Sequence, residues 1–304
     1  MNIIVTGGAG FIGSHLVDAL IAKGANVVVL DNLSAGKSKN INPKATFYKE
    51  NIDSPFTKQL IKELKPDALF HLAAQADVSQ SIANPVEDAQ TNINGTINLL
   101  QGCVEASTPK FIFSSTSAVY GNLNKEIITE DEAVKPSSFY GLSKLAAELY
   151  IQLFSRLYPL RYTILRYANV YGPRQLPKGD GGVVSVFLNR LKNDETIHIH
   201  GDGEQTRDFV FVKDVVAANL AALEQTNNET LHISTGESVS INNLLHHFGN
   251  IHVKPINPTF QAARIGDIRH SCLSNELAKN KLSWKPIVSL SEGLQYAYEE
   301  YFEG

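Results

Sequence analysis

The chain has 304 residues, 43% of them hydrophobic, and a formal net charge of −4. That length suits one large or two modest domains with a core that needs no staple, and the small negative charge excludes wholesale attraction to nucleic acid or an anionic membrane. Cys103 and Cys272 lie far apart, with neither a metal-ligand spacing nor a disulfide framework, which fits a reducing cytoplasm.

The opening "MNIIVTGGAG" has no basic n-region and breaks at once into glycines, so no signal peptide is expected. No apolar run is long enough to span a membrane. "NIIV" (2–5) reads as a buried strand, followed by a helix over about 11–23. "ANVVVL" (25–30) and "ATFYKE" (45–50) are the second and third strands. A helix near 55–64 leads to "DALFHL" (67–72), and a long helix near 85–106 leads to "KFIFSS" (110–115). The next helix, about 138–157, leads to "RYTILR" (161–166). Strands apolar on both faces and separated by helices imply a parallel sheet covered on both sides, the doubly wound, Rossmann-type α/β class.

After Arg166 the rhythm loosens. "YGPRQLPKGDGG" (171–182) reads as a long loop, often a functional feature. Short strands ("TIHIHG", "ETLHIS") then mix with helices near 212–225, 240–248, 274–281 and 289–302. The expected division is a Rossmann domain over 1–167 and a smaller α/β substrate-binding domain over 168–304, with segments near 205–235 returning to the first.

"GGAGFIG" follows the first strand and opens the first helix. It contains Gly8-x-Gly10-x-x-Gly13 and Gly7-x-x-Gly10-x-x-Gly13. Without Cβ atoms the backbone can approach a pyrophosphate, and the helix N-terminus offers it free N–H groups. Asp31 ends the second strand, where a carboxylate accepts from both hydroxyls of an adenosine ribose and repels a 2′-phosphate. No Arg follows in "DNLSAGK", so NAD is favoured over NADP. Asp53 reads either as an acceptor for the adenine amino group or as the N-cap of the next helix. Ala73 and Ala74 leave room at the end of the fourth strand, unless they serve only tight packing. Phe11, Ile12, Asn32, Ile52 and Leu72 complete the cofactor candidates.

"FSSTSAVYG" brings the hydroxyls of Ser114, Ser115, Thr116 and Ser117 to the same carboxyl edge of the sheet. "SFYGLSK" sets Tyr140 four residues before Lys144, so the two share one helix face. Alone, such a pair reads as a surface contact. Behind a complete dinucleotide fingerprint it reads as chemistry: an ammonium and a positive nicotinamide both favour phenolate, lowering an ordinary phenol pKa of about 10. A phenolate is a general base for an alcohol that gives up hydride to NAD.

At these residues the sequence resembles the extended short-chain dehydrogenase/reductases, in particular the UDP-glucose 4-epimerase-like enzymes. The resemblance runs over nearly the whole chain, through "TGGAGFIGSHL", "DNLS", "HLAAQADVSQS", "TNINGT", "FSSTSAVYG", "YGLSK", "LRYANVYGPRQ", "GDGEQTRDFVFVKDV" and "ARIGDIRHS". It implies Tyr140 as catalytic base and Lys144 as the lysine that binds the nicotinamide ribose and lowers the tyrosine pKa. Thr116 resembles the hydroxyl on the sugar 4-OH, Asn169 a contact to the UDP phosphate region, Arg207 and Arg264 the diphosphate arginines, and Asp267 the acid on the uridine ribose. Gln75 and Val183 are further substrate candidates. Asn92 reads as a helix-packing and water-binding residue. No metal is expected.

Near relatives that dehydrate or decarboxylate resemble this chain except for an acid close behind the threonine. Here Thr116 is followed by Ser117-Ala118-Val119. The resemblance therefore implies C4 epimerisation of UDP-hexoses through a 4-keto sugar (EC 5.1.3 type), with a dehydratase, a decarboxylase or a non-catalytic NAD-binding sensor or scaffold as alternatives. The family's gate beside the sugar C2 substituent falls on Ser271, a small residue that implies room for UDP-GlcNAc and UDP-GalNAc beside UDP-glucose and UDP-galactose; the alternative is a solvent-facing serine. Helices near 85–106 and 138–157 could pair across a two-fold axis, as in the family's homodimers. A UDP-sugar is the expected partner, with no nucleic acid and no membrane.

Overall fold

The computed structural model describes residues 1–123, 125–177, 182–263 and 268–303. Its central sheet takes β1 (Asn2–Thr6), β2 (Asn26–Leu30), β3 (Thr46–Tyr48), β4 (Ala68–His71), β5 (Lys110–Thr116) and β6 (Arg161–Tyr167) in the order β6-β5-β4-β1-β2-β3, all parallel. Sequential winding runs one way from β1 to β3 and the other way from β4 to β6. The reversal opens a crevice at the carboxyl ends of β1 and β4, where ligands bind in such sheets.

Both faces of the inner strands β1, β4 and β5 are largely buried, as their runs of Ile, Val, Leu and Phe require, while the edge strand β3 is not. One face packs under α1 (Phe11–Ala22) through Leu16, Val17 and Leu20. The other packs under α2 (Pro55–Leu64), α5 (Gly95–Glu105) and α6 (Phe139–Leu157) through Leu60, Leu99 and Ile151. Fully burying one such side chain stabilises the fold by about 1.5–3 kcal/mol.

The expected continuous helix over 85–106 is instead subdivided. α3 (Val78–Ala83) ends at Asn84, whose side chain caps α4 (Pro85–Ala89) by accepting from the Glu87 N–H. Gln90–Asn94 then widens into a π-turn before α5. The Thr96 hydroxyl donates to the Asn92 carbonyl, and the Asn92 side chain is pulled inward. A π-turn accommodates the inserted residue without ending the helix. α6 matches its expected span, with Ser138 as N-cap accepting from the Gly141 N–H.

Beyond β6 come β7 (Asn169–Tyr171), α7 (Val183–Lys192), β8 (His198–His200), β9 (Thr206–Arg207), β10 (Phe209–Phe211) and α8 (Val212–Gln225). β11 (Glu229–Ile233) follows and pairs parallel with β6, becoming the seventh strand of the central sheet. α8 packs on α1. The remainder is β12 (Val239–Ser240), α9 (Ile241–Ile251), β13 (Thr259–Gln261), α10 (Glu276–Leu282) and α11 (Leu290–Glu303). The short strands β7, β9, β10, β12 and β13 have too few residues to show a period in the sequence. Phe187, Phe211, Phe248 and Leu294 gather α7, β10, α9 and α11 around a second core. Asp214 ties it to α8: its carboxylate accepts from the Ile287 and Val288 N–H groups, and its carbonyl from the Trp284 indole. Among the described residues no helix is long and apolar enough to cross a membrane.

Candidate active site

The first crevice is shaped by missing side chains. A Cβ on Gly7 would stand 2.7 Å from the Ala73 nitrogen, and one on Gly13 would stand 2.1 Å from the Gly7 carbonyl oxygen. α1 starts at Gly10 with no side-chain cap and no acid in its first turn, so its first N–H groups are left for an anion. Asp31 is buried; its Oδ2 accepts from the Ala9 N–H at 3.0 Å and its Oδ1 from the Leu33 N–H at 2.8 Å. Each oxygen keeps a lone pair for a ribose hydroxyl.

Gly7, Gly10, Phe11, Ile12 and Gly13 line this crevice on one side. Asp31, Asn32, Ile52 and Asp53 line it at the far end, and Leu72, Ala73 and Ala74 form the wall of β4. Asp53 is not a helix cap: Ser54 takes that role, and Asp53 accepts from the Gln90 amide at 2.8 Å. These groups fit a dinucleotide: a glycine cradle, an uncapped helix end and a carboxylate just after the second strand.

Below it, His71 is fixed in one tautomer. The Thr96 hydroxyl spends its proton on Asn92, so it accepts from His71 Nε2 at 2.9 Å. His71 Nδ1 then accepts from the Thr6 hydroxyl at 2.8 Å, which itself accepts from the Ala73 N–H. Burial, reinforced by the nearby Lys144 charge, pushes this histidine well below its ordinary range, so the ring is neutral. Asn92 is held by Gln75, Asp88 and Ser143 and braces α4 against α6.

The pleat of β5 sorts the hydroxyls that the sequence leaves together. Ser114 lines the dinucleotide crevice. Ser115 points the other way and donates to Glu148. Thr116 ends the strand, its Oγ1 accepting from the Ala118 N–H at 3.1 Å. The first turn of α6 lies on this corner: a Cβ on Gly141 would be 2.6 Å from the Ala118 carbonyl. That contact sets Tyr140 beside the Thr116 turn. One turn on, Lys144 is buried with its ammonium 4.3 Å from the Phe113 ring centre. Burial brings its pKa down to about 7, against the opposing pull of Glu148 and Asp88.

Gln75 is not brought to this crevice. Its amide donates to the Asp77 carbonyl and Asp88, and accepts from the Asp77 N–H, so the β4–α3 turn uses both ends.

A second cleft, of about 300 Å³, opens beside the second core and gathers Asn169, Val183 and Arg207. The Asn169 N–H donates to the Asp208 carbonyl at 2.9 Å, while Arg207 Nη1 is anchored on the carbonyls of Thr206 and Ile268. Arg264 and Asp267 lie outside the described residues. Ser271 is 8% exposed, so it is not a solvent-facing serine. Its segment is pinned by Ile128, whose N–H donates to the Cys272 carbonyl, and by the buried Asp208, which accepts from the N–H groups of Leu273, Thr235 and Gly236. Burial still lifts the Asp208 carboxyl to about 6.

Sequence reasoning missed His198, His200, Gln205 and Gln261 in this cleft. The alternation of "IHIH" was a signal for the two histidines, which share one face of β8. Gln261 had none, since it enters on β13 from sixty residues away through the pairing His200↔Gln261. Among the described residues no cluster of His, Cys, Asp or Glu could hold a metal ion.

Comparison with known proteins agrees with this geometry. The profile of the NAD dependent epimerase/dehydratase family matches residues 3–234. A UDP-glucose 4-epimerase of Mycolicibacterium smegmatis is 39% identical, over 98% of each chain. The crystal structure of a UDP-glucose 4-epimerase of Thermotoga maritima with UDP-glucose superimposes with a TM-score of 0.96 at 46% identity, covering 100% of this chain and 99% of that one. A UDP-N-acetylglucosamine 4-epimerase of Methanobrevibacter ruminantium in complex with UDP-N-acetylmuramic acid gives 0.95 at 37% identity, covering 99% and 98%.

Proposed function

This chain belongs to the NAD dependent epimerase/dehydratase family, and on that premise we propose that it is a UDP-sugar 4-epimerase that inverts C4 of UDP-hexoses through a 4-keto sugar. The observation that supports the reading is the seating of the first turn of α6 on the Ala118 carbonyl, in the turn after Thr116, which brings the helix that carries Tyr140 and Lys144 to the carboxyl end of β5. NAD, held by the Gly7–Gly13 cradle and Asp31, supplies the hydride acceptor and donor.

Thr116 hydrogen-bonds the sugar 4-hydroxyl and Tyr140 takes its proton. Lys144 holds the nicotinamide ribose, and its positive charge favours the phenolate. On the return half the same tyrosine gives the proton back. Asn169, Arg207, Arg264 and Asp267 anchor the nucleoside diphosphate while the keto sugar turns over, because guanidinium forks match phosphate oxygens. Dehydration or decarboxylation needs an acid beside Thr116. Glu130, in the following loop, instead accepts from the His232 N–H at 2.8 Å. Residues 168–304, apart from the stretch that returns to the sheet, form the nucleotide-sugar half of the site.

Ser271 leaves space beside the sugar C2, and the relative of Methanobrevibacter ruminantium acts on an N-acetylated sugar. Proton NMR of the protein purified without added cofactor tests both points. UDP-glucose, UDP-galactose, UDP-GlcNAc and UDP-GalNAc should each reach their C4 epimers. Conversion of the glucose/galactose pair alone would remove the open gate, and no conversion would remove the epimerase. Ser271→Tyr should cut turnover of the acetylated pair at least about 100-fold while leaving the plain pair within about threefold.

A homodimer is the proposed assembly. Leu142, Leu149, Leu153 and Leu157 recur along one face of α6 and are 43–65% exposed. Ile82 and Val86 on the neighbouring α3 and α4 extend the face. A second copy related by a two-fold axis would cover an equivalent face on each subunit. The double variant Leu149→Glu/Leu153→Glu should elute as a monomer in light-scattering chromatography; an unchanged mass would place the interface elsewhere. Two buried, unpaired cysteines suit a reducing cytoplasm.

A further inference from the structure

Glu148 lies on α6, one turn beyond Lys144 and two beyond Tyr140, and is 1% exposed. Its carboxylate touches neither crevice. Oε1 accepts from the Ser115 hydroxyl at 2.5 Å and from Arg166 Nε at 3.0 Å, and Oε2 accepts from Arg166 Nη2 at 2.6 Å. Ser115 immediately precedes Thr116 on β5, and Arg166 is near the end of β6, with Ser115↔Arg166 directly paired across the ladder. Arg166 Nη1 donates to the Tyr120 hydroxyl at 2.6 Å, which can only pass its proton to His232 Nε2, also at 2.6 Å. His232 Nδ1 then donates to the Ser274 carbonyl at 3.1 Å. Burial lowers this histidine to about 3, so the ring is neutral and the network's full charges are those of Glu148 and Arg166.

This arrangement exceeds what helix packing needs. The apolar side chains of Ala147 and Ile151 already bury α6 against the sheet. A bidentate carboxylate fixes direction and depth as well, because both of its oxygens are committed in a rigid fork. The groups it joins are the strand that ends in Thr116 and the helix that carries Tyr140 and Lys144. We propose that Glu148 is a positioning residue for the epimerisation: its carboxylate locks the hydroxyl strand to the tyrosine–lysine helix. The inference rests on the proposed function.

The carboxylate also bears on Lys144, one turn before it on the same helix. The groups around Lys144 include the Phe113 ring on β5, the neutral His71 on β4, Asp88 on α4, and Tyr140 and Glu148 one turn before and after it on its own helix. Those facing Glu148 are Ser115, Arg166 and, more distantly, Tyr120 and Tyr162. Glu148 and Asp88 are the groups that raise the Lys144 pKa against burial. Without the Glu148 charge the ammonium is lost at lower pH, so the alkaline limb of the rate profile moves down.

Two variants test this on the full chain, using UDP-glucose as substrate. Glu148→Gln should lower kcat about 10–100-fold, leave KM within about twofold, and move the alkaline limb down by about half a pH unit or more. Ser115→Ala removes only the tether to the strand and keeps the Glu148–Arg166 pair. It should lower kcat about fivefold or more with KM and the alkaline limb unmoved. A merely structural residue would lower the melting temperature and leave kcat and the pH profile of both variants at wild-type values, and that result would overturn the inference. If Glu148→Gln fails to fold, Ser115→Ala decides: a loss of kcat with unchanged KM and bound NAD supports the tether, and wild-type kcat overturns it. A wild-type chain that converts no nucleotide sugar would overturn the proposed function and this inference with it.

Discussion

Tyr140→Phe is expected to abolish turnover and spare binding. The substitution keeps the ring and removes the one oxygen placed to take the sugar proton. General-base catalysis is worth about 10²–10⁴-fold, so kcat should fall by that factor. The groups proposed to hold the cofactor and the nucleotide lie largely on other elements. The glycine cradle, Asp31 and the second cleft belong to other elements, and α6 is held by its Ser138 cap, Gly141 and Glu148. Bound NAD and the calorimetric affinity for UDP should therefore stay within about twofold. Turnover within about tenfold of wild type would take Tyr140 out of the proton transfer. Loss of UDP affinity together with turnover would mean that the hydroxyl also binds the nucleotide sugar.

Gly13→Ala should empty the cofactor site. The new Cβ would meet the Gly7 oxygen at 2.1 Å, the Gly7 carbon at 2.8 Å and the Gly8 Cα at 3.0 Å. All three are backbone atoms, so no side chain can swing aside. The loop must open, at a cost of about 1–3 kcal/mol or more, and the N–H groups of α1 then no longer converge. The protein should purify with less than about a tenth of the wild-type NAD, measured in the supernatant after denaturation, and without measurable epimerisation. Gly10→Ala is the control: its Cβ meets only the Gly7 oxygen, at 3.1 Å, so a shift of a few tenths of an ångström suffices. Full NAD occupancy in Gly13→Ala would show that the cofactor is held elsewhere.

The two variants probe parts of the site that differ in how openly the sequence displays them. The dinucleotide crevice was legible because its parts are local: a strand, a glycine turn, a helix start and an acid one strand later. Gly7, Gly10, Gly13, Asp31, Ala73 and Ala74 all line the crevice, while Gly8 of the same fingerprint packs instead against Val17 and Val29. The second cleft was only partly legible. Asn169, Val183 and Arg207 meet there beside His198 and His200, whose alternation was a signal, but Gln205 and Gln261 reach it from a loop and a short strand that carry no period. Gln75 illustrates the converse. The resemblance makes it a substrate candidate, yet the turn after β4 uses both ends of its amide.

The sequence by itself determined the architecture, the cofactor crevice and the Tyr140–Lys144 pair, because hydrophobic period, glycine placement and i,i+4 spacing are properties of short stretches. Only the tertiary structure decided which hydroxyl of "SSTS" faces which way, since that depends on the pleat of β5 between two neighbours. It also decided that Glu148 and Arg166, eighteen residues apart and unremarked in the sequence, close on Ser115. Nothing local marks such a pair. Two charges buried in one place must satisfy each other, and which charges those are is settled by how a helix and two strands stack.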